Sequence, residues 1–347
     1  MAATNDTLPD RGSQTPLSLI DKNLDICRGV IAVIGMLANG FVIYVFLRVR
    51  FLRSITNLFL INQSAIDCLC SAFLVAMKFI PISWPLQFGA FNDFICKIWV
   101  SEYLMYGLIV ASTMNLVCVT IERYIGIVYP LFHRGYFTDR KAKIMIVFVW
   151  AWGYACELVW MIVNGAEDGI CMMHFPSTTY LHFNGFWFIT VIFILPVTIM
   201  LYAYIHMFIS LRHKNINIAN VEASGRTVKM EKARRNVIKT LATVFIMYII
   251  CWLPEQAMYF QYCVGIPVDL TGIKFNVALL LINCNMIVNP FIYTIQYNQF
   301  KQGVRTAFRQ RTTSAIAPLP ANPADVEQGG ISLPKRTATS TESASNI

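Results

Sequence analysis

Asp67, Ser112, Asn285 and Asn289 offer a carboxylate, a hydroxyl and two amide oxygens, the hard oxygen ligands that a small cation such as sodium takes. Asn285 and Asn289 are four residues apart, so a helix puts them on one face, one turn from each other. The same groups would also serve as hydrogen-bond partners between helices, and the sequence leaves both readings open. Glu122 and Arg123, followed by Tyr124, set a carboxylate beside a guanidinium. Such a pair can open and close as a switch, or be a plain ion pair at a helix end. Arg123 follows Ser112 by eleven residues, about three turns along one face. Lys78, Glu102, Tyr106, Glu255, Gln256 and Tyr259 form a third group of mixed charge, suited to a polar ligand or to pairing within the protein, for example Lys78 with Glu102. No metal-ligand or nucleophile-base spacing appears, so no enzyme is expected.

These groups must be positioned by a very apolar chain. Of 347 residues 56% are hydrophobic and 14% charged, where a soluble domain carries about 25% charged. The apolar residues gather in seven runs, roughly Cys27 to Leu47, Asn57 to Phe79, Phe94 to Ile121, Ile144 to Val163, Phe183 to Ile209, Val237 to Phe260 and Phe275 to Ile295. Each is long enough to span a bilayer. Backbone amides left unpaired in hydrocarbon are costly, and continuous apolarity without alternation favours helices over a barrel. The expected fold class is an all-α membrane protein, a seven-transmembrane helix bundle. The net charge of +9 would suggest nucleic acid in a soluble protein, but here the basic residues lie in the connections and no nucleic-acid partner is expected. Twenty-two of the 28 Lys and Arg fall on one side and six on the other. That bias puts the N-terminus outside, with the plasma membrane as the default address.

The organisation follows as an outer tail over 1–26, the bundle over 27–297, an amphipathic interfacial helix over 298–309 and a polar, disordered cytoplasmic tail over 310–347. In the interfacial helix Phe300, Val304 and Phe308 recur every fourth residue beside Lys301, Arg305 and Arg309, a pattern suited to contact with membrane lipids. No cleavable signal is evident before the first run. Asn5 opens the sequon Asn5-Asp6-Thr7 in the outer tail and is the glycosylation candidate. Asn62-Gln63-Ser64 matches too, but lies within the second run and is discounted. Pro196, Pro254 and Pro290 interrupt runs and mark kinks.

Taken in order, these residues resemble the rhodopsin-like class of G-protein-coupled receptors. The likeness runs through Asn39-Gly40, Asn57 with Asp67, Glu122-Arg123-Tyr124 with Pro130-Leu131, Trp150, Pro196 with Tyr204, Cys251-Trp252-Leu253-Pro254, Asn289-Pro290-Phe291-Ile292-Tyr293 and Phe300. The resemblance implies a non-enzymatic receptor whose extracellular ligand drives nucleotide exchange on a heterotrimeric G protein. It implies that Arg123 meets the G protein when the sixth helix swings out, with Tyr204 and Tyr293 turning inward. Trp252 above Pro254 would couple ligand to hinge, and Leu131 would be the apolar plug of the second cytoplasmic loop. Asp67, Ser112, Asn285 and Asn289 would form an allosteric sodium pocket, with no other cofactor required. A Cys96–Cys171 disulfide would tether the second outer loop, while Cys27 and Cys263 are a less favoured pair. Arrestin and a receptor kinase would act on the tail, where Thr337, Thr339, Ser340, Thr341, Ser343 and Ser345 crowd together. No cysteine follows the amphipathic helix, so no palmitate anchor is implied.

The chain also departs from the family pattern. Cys96 precedes Arg123 by 27 residues, about two more than the resemblance leads one to expect. Counting back from Arg123 therefore puts Met105, and counting on from Cys96 puts Tyr103, where monoamine receptors carry Asp. A local bulge in the third helix would explain the surplus. Neither residue is acidic, which disfavours an amine, although Glu102 is adjacent. Opsins need a Lys seven residues before Pro290 and this chain has Asn283, so no retinal is expected. The ligand-contact candidates are Lys78, Glu102, Met105, Tyr106, Glu255, Gln256, Tyr259 and Asn283. Ten acids against six bases on the outer side favour a cationic ligand. A peptide is the leading expectation, a small amine or other small molecule the alternative. A transporter or channel would need repeated halves, which the chain lacks. Arg234 stands twenty residues before Pro254, where many family members place an acid, and is expected to face Arg123 and weaken the closed state. Glu231 is the alternative partner for Arg123.

Overall fold

A computed structural model describes residues 19–80, 82, 85–87, 89–219, 225–270 and 272–316. The Asn5 sequon, the cluster from Thr337 to Ser345 and the side chain of Lys78 lie outside the described residues. Seven helices are long and apolar enough to cross a membrane: Lys22–Arg48, Ile55–Met77, Asn92–Val128, Asp139–Val163, Thr178–His213, Met230–Cys263 and Ile273–Gln296. All seven expected runs are present, and the helices overshoot the apolar stretches because backbone hydrogen bonding continues into polar sequence. The sixth span belongs to a 39-residue helix, Gly225–Cys263, about 60 Å long where hydrocarbon needs about 30 Å. The third span is the axis of the bundle, with 78% of its apolar window buried against 28% for the fourth. These two helices approach closely at small residues. A Cβ on Gly153 would lie 2.3 Å from the Gly107 carbonyl oxygen and 2.7 Å from the Ala111 Cβ.

Proline has no N–H, so each kink frees the carbonyl four residues earlier, and in a membrane that oxygen needs another donor. For Pro290 the freed oxygen is Met286 O, and Asn39 Nδ2 donates to it at 2.7 Å while also reaching Gly35 O at 2.9 Å. For Pro196 it is Ile192 O, which accepts from the Tyr248 hydroxyl at 3.1 Å. Just before Pro196 the fifth helix widens into a π-helical stretch, Phe188–Ile194. Asn39 and Tyr248 are thus structural partners of two hinges.

The third span begins with a short turn, Asn92–Ile95, then a π-helical segment, Cys96–Val100. Ser101 N bonds Cys96 O at 3.0 Å, five residues back. Glu102 follows in the left-handed region at φ 60°, ψ 22°, and a regular helix restarts at Tyr103. The wide turn and the left-handed residue take up the two-residue surplus, so the expected bulge is a π turn plus a break.

After the fourth span an antiparallel hairpin forms from β1 (Asn164–Glu167) and β2 (Ile170–Met173), with Glu167 opposite Ile170. Its two-residue turn has Asp168 at φ 49° and Gly169 at φ 78°, the positive-φ pair that a tight hairpin requires. Gly169 O accepts from Leu86 N at 2.7 Å. A Cβ on Gly169 would come within 2.8 Å of Leu86 O, so the turn docks where only glycine fits. Cys171 on β2 is bonded to Cys96, with Cα atoms 5.5 Å apart, which ties the hairpin to the outer end of the third span. Cys27 and Cys263 are both free; Cys263 is buried against Gly185, whereas Cys27 is exposed.

The terminal helix runs Asn298–Ile316, longer than the 298–309 expected. Phe300 is fully buried, its ring 5.4 Å from Phe46 and 6.4 Å from Tyr293. A Cβ on Gly303 would lie 2.6 Å from Leu52.

Candidate functional site

At mid-membrane, polar side chains from four spans join in one directed chain of hydrogen bonds. Trp150 Nε1 donates to Asn62 Oδ1 at 3.0 Å, and Asn62 Nδ2 donates to Asn115 Oδ1 at 2.9 Å. Asn115 Nδ2 reaches Gln63 Oε1 at 2.8 Å and Phe59 O at 3.0 Å. Gln63 Nε2 then lies 3.2 and 3.3 Å from the two Asp67 oxygens and donates to Ser112 Oγ as well. Ser112 Oγ donates to Asp67 Oδ1 at 3.2 Å, and Asn289 Nδ2 to Asp67 Oδ2 at 2.8 Å. The polarity of the chain is fixed from both ends. An indole N–H can only donate and an ionised carboxylate can only accept, which orients every amide between them.

This arrangement brings Asp67, Ser112 and Asn289 together and leaves Asn285 outside the set. The Gln63 amide nitrogen is already in contact with both Asp67 oxygens and the Ser112 hydroxyl, the position a bridging cation would take. Asn285 is buried but makes none of the hydrogen bonds to Asp67 among the described residues. With Gln63 in this place, Asp67, Ser112 and Asn289 act as hydrogen-bond partners between helices.

Near the C-terminal end of the third span Glu122 is fully buried and accepts from four donors. Arg123 contributes Nε at 2.6 Å and an Nη at 2.5 Å, Thr56 Oγ1 lies at 2.9 Å, and His133 Nε2 at 2.8 Å. Thr56 and His133 come from the second span and the short helix Pro130–Tyr136. Both hold the carboxylate that holds Arg123. The Arg123 side chain keeps 25% exposure, and Leu131 on the same short helix is 83% exposed. Tyr124 instead bonds His206 at 2.9 Å.

Arg234 does not face Arg123 as expected. It is exposed, with Glu231 at 2.8 Å one turn earlier, and among the described residues neither forms an ion pair with the third span. The N-terminal part of the sixth helix is held by Asn236. Its Nδ2 donates to Gln296 O at 2.7 Å and its Oδ1 accepts from Asn298 N at 2.9 Å. Thr243 Oγ1 adds a bond to Gln296 Oε1 at 3.0 Å.

Between these regions Tyr204 bonds Thr120 at 3.1 Å and stacks on Phe245. Trp252 packs against Tyr248 with ring centroids 5.6 Å apart. Among the described residues the Tyr293 hydroxyl and Trp252 Nε1 are buried without a hydrogen-bond partner. At the outer end Gln256 Nε2 donates to Glu255 Oε2 at 3.0 Å and Tyr259 donates to Asn184 Oδ1 at 2.5 Å. Asn283 is buried and Tyr106 partly so. Tyr103 donates to Tyr154 O at 3.1 Å, facing the fourth span, and Met105 lies in the apolar core.

The profile of the 7 transmembrane receptor (rhodopsin family) matches residues 38–293, which takes in the amide chain and the Glu122–Arg123 pair and stops short of Gln296 and Asn298. The chain belongs to that family. Mouse somatostatin receptor type 2 is 25% identical to this receptor over 79% of the chain and 73% of its own length. Tachykinin-like peptides receptor 86C of Drosophila melanogaster is 26% identical over 79% of the chain and 56% of its own length. Melanopsin-B of Xenopus laevis is 24% identical over 79% and 52%.

Reading the sequence of this receptor missed Gln63, Asn62, Asn115, His133 and Glu157. Gln63 had a usable signal, because it precedes Asp67 by four residues and so shares its helix face. Asn62 had none beyond its cost inside an apolar run. Glu157 is 2% exposed at the junction between the helices Asp139–Cys156 and Leu158–Val163, and a composition count does not separate it from a loop residue.

Proposed function

We propose that this receptor binds an extracellular peptide and activates a heterotrimeric G protein at the plasma membrane, with its N-terminus outside. The observation that carries the reading is the closed Glu122–Arg123 pair at the cytoplasmic mouth. A guanidinium held by a neighbouring carboxylate, partly exposed and beside the exposed Leu131, is ready to exchange that carboxylate for a partner once the sixth helix moves. Breaking the Asn236 latch would free that helix, and the unpartnered Tyr293 hydroxyl gains a partner by turning. A peptide is favoured by the hairpin tethered over the outer end, by the absence of an acid at Tyr103 or Met105, and by relatives named as receptors for somatostatin and tachykinin-like peptides. Asn283 has no amine for a Schiff base, so the melanopsin likeness does not carry retinal with it. Glycosylation at Asn5, lipid contact along the terminal helix, and a kinase and arrestin acting on Thr337 to Ser345 complete the proposal.

A peptide library screened on surface-expressed receptor with dissociation sensors for each G-protein class tests it. A hit that Arg123→Ala silences at equal surface expression is the expected result; silence across the library in every class, with receptor at the surface, would overturn it. Truncation after Thr312 should leave that signal intact and cut arrestin recruitment.

A further inference from the structure

Glu157 and Glu255 come from different spans, the fourth and the sixth, and are 2% and 9% exposed. They lie within electrostatic reach of each other and of the Tyr259 hydroxyl. Among the described residues no Lys, Arg or His forms an ion pair with either, and none enters their electrostatic surroundings. Two carboxylates buried together without a cation are unfavourable as anions, and either take up protons or receive a cation from outside the chain.

Two further observations point to the cation. Among the described residues Glu157 Oε2 and Gln256 Oε1 are buried acceptors without a donor, while Glu157 already takes one side-chain hydrogen bond, from Trp160. Gln256 is 5% exposed and its Nε2 is already on Glu255, so its free oxygen belongs to the same cluster. Beside them Trp160, Phe188 and Tyr259 form a mutual set of three rings, with centroids 5.8 to 6.0 Å apart. Acceptors without donors, two uncompensated carboxylates and aromatic faces are together what a guanidinium or ammonium needs, since each contributes to holding a desolvated cation.

We propose that the ligand carries a cationic side chain, guanidinium in preference to ammonium, which enters between Glu157 and Glu255 and donates to Glu157 Oε2 and Gln256 Oε1 above the Trp160, Phe188 and Tyr259 rings. This rests on the proposed receptor function and specifies its ligand. A guanidinium is favoured because its planar fork has enough donors to satisfy two carboxylates and an amide oxygen at once. Glu255 follows Pro254 directly in the chain, so a cation drawing on this carboxylate acts next to the hinge of the sixth helix.

The test uses purified full-length receptor and two small probes of one shape, L-argininamide and L-citrullinamide, which differ in the charge of the side-chain head. Argininamide at tens of millimolar should raise the unfolding temperature by roughly 2 to 4 °C if it binds in the low millimolar range, and citrullinamide should not. Glu157→Gln and Glu255→Gln should each lose most of that shift and the double variant all of it. The ligand-free unfolding temperatures of the variants should be no lower than wild type, because a buried carboxamide replaces a buried, unpaired carboxylate. Equal shifts with both probes, or an argininamide shift that survives in the double variant, would overturn the proposal. G-protein activation is read separately, so a failed probe experiment leaves the receptor reading standing, and a receptor that binds argininamide but activates no G protein leaves the cation site standing.

Discussion

Replacing Gln63 tests the mid-membrane chain most directly. Gln63→Ala removes the amide that lies 3.2 and 3.3 Å from the Asp67 oxygens and opens space between Asp67 and Ser112. Asn115 loses one of its two acceptors and keeps Phe59 O. Hydrogen bonds to a charged group are worth about 1.5 to 3 kcal/mol, and the stranded Asn115 donor adds to the loss, so a destabilisation of about 3 kcal/mol is expected in sodium-free medium. The vacated position is then bounded by Asp67 and Ser112 oxygens, a donor set suited to sodium. With a dissociation constant of about 50 mM, 150 mM sodium would restore about 0.8 kcal/mol, or about 2 °C in unfolding temperature. The assay is thermal unfolding of purified receptor in sodium chloride against N-methylglucamine chloride at equal ionic strength. Wild type should show no difference between the two salts, and Gln63→Ala should be less stable in both but less so in sodium. A sodium-specific rise in wild type as large as in the variant would refute the claim that the amide occupies the cation's place.

Other perturbations address the remaining devices. Asn236→Ala removes two hydrogen bonds to the junction at Gln296 and Asn298, together about 1 to 2 kcal/mol, and should raise ligand-free nucleotide exchange several-fold; Arg234→Glu should leave basal exchange unchanged, and the reverse ranking would restore the guanidinium-repulsion idea. Glu102→Gly relieves a left-handed residue at φ 60° and should raise stability by about 1 kcal/mol, read as an increase in unfolding temperature; a decrease would mean that the Glu102 side chain holds the break.

What the sequence revealed and what it hid follow from the range of the interactions concerned. The spans were legible because hydrocarbon demands long apolar helices whatever their neighbours are. The surplus in the third span was legible as a count, since two extra residues must go somewhere, but its form was not. A π turn followed by left-handed Glu102 is one of several ways to absorb them, and the choice depends on how Cys96 is pinned to Cys171. Arg234 was misplaced for a related reason. Counting residues from Pro254 assigns a position along the helix, but a local partner at Glu231, three residues away, outcompetes a distant one for a flexible side chain. Asn62 was read as part of a discounted sequon because only packing against Asn115 and Trp150 gives it a role.

The distribution of satisfied and unsatisfied polar groups shows where the closed state is weak. Eight buried side-chain atoms among the described residues lack a hydrogen-bond partner. Three of them, on Arg28, Asn39 and Ser64, lie in the first two spans. The other five are Glu157 Oε2, Trp252 Nε1, Gln256 Oε1, Asn289 Oδ1 and Tyr293 Oη, and four of these are in the sixth and seventh spans, within four residues of Pro254 or Pro290. A buried polar atom without a partner costs about 1 to 3 kcal/mol, so this side of the bundle holds several kcal/mol that a rearrangement could recover. Moving two states of a receptor from one to the other needs a differential of that size. In this arrangement a cation at Glu157 and Gln256 removes part of the cost at the outer end. The groups around the two prolines recover the rest by moving, and the latch at Asn236 and the Glu122–Arg123 pair are what must yield.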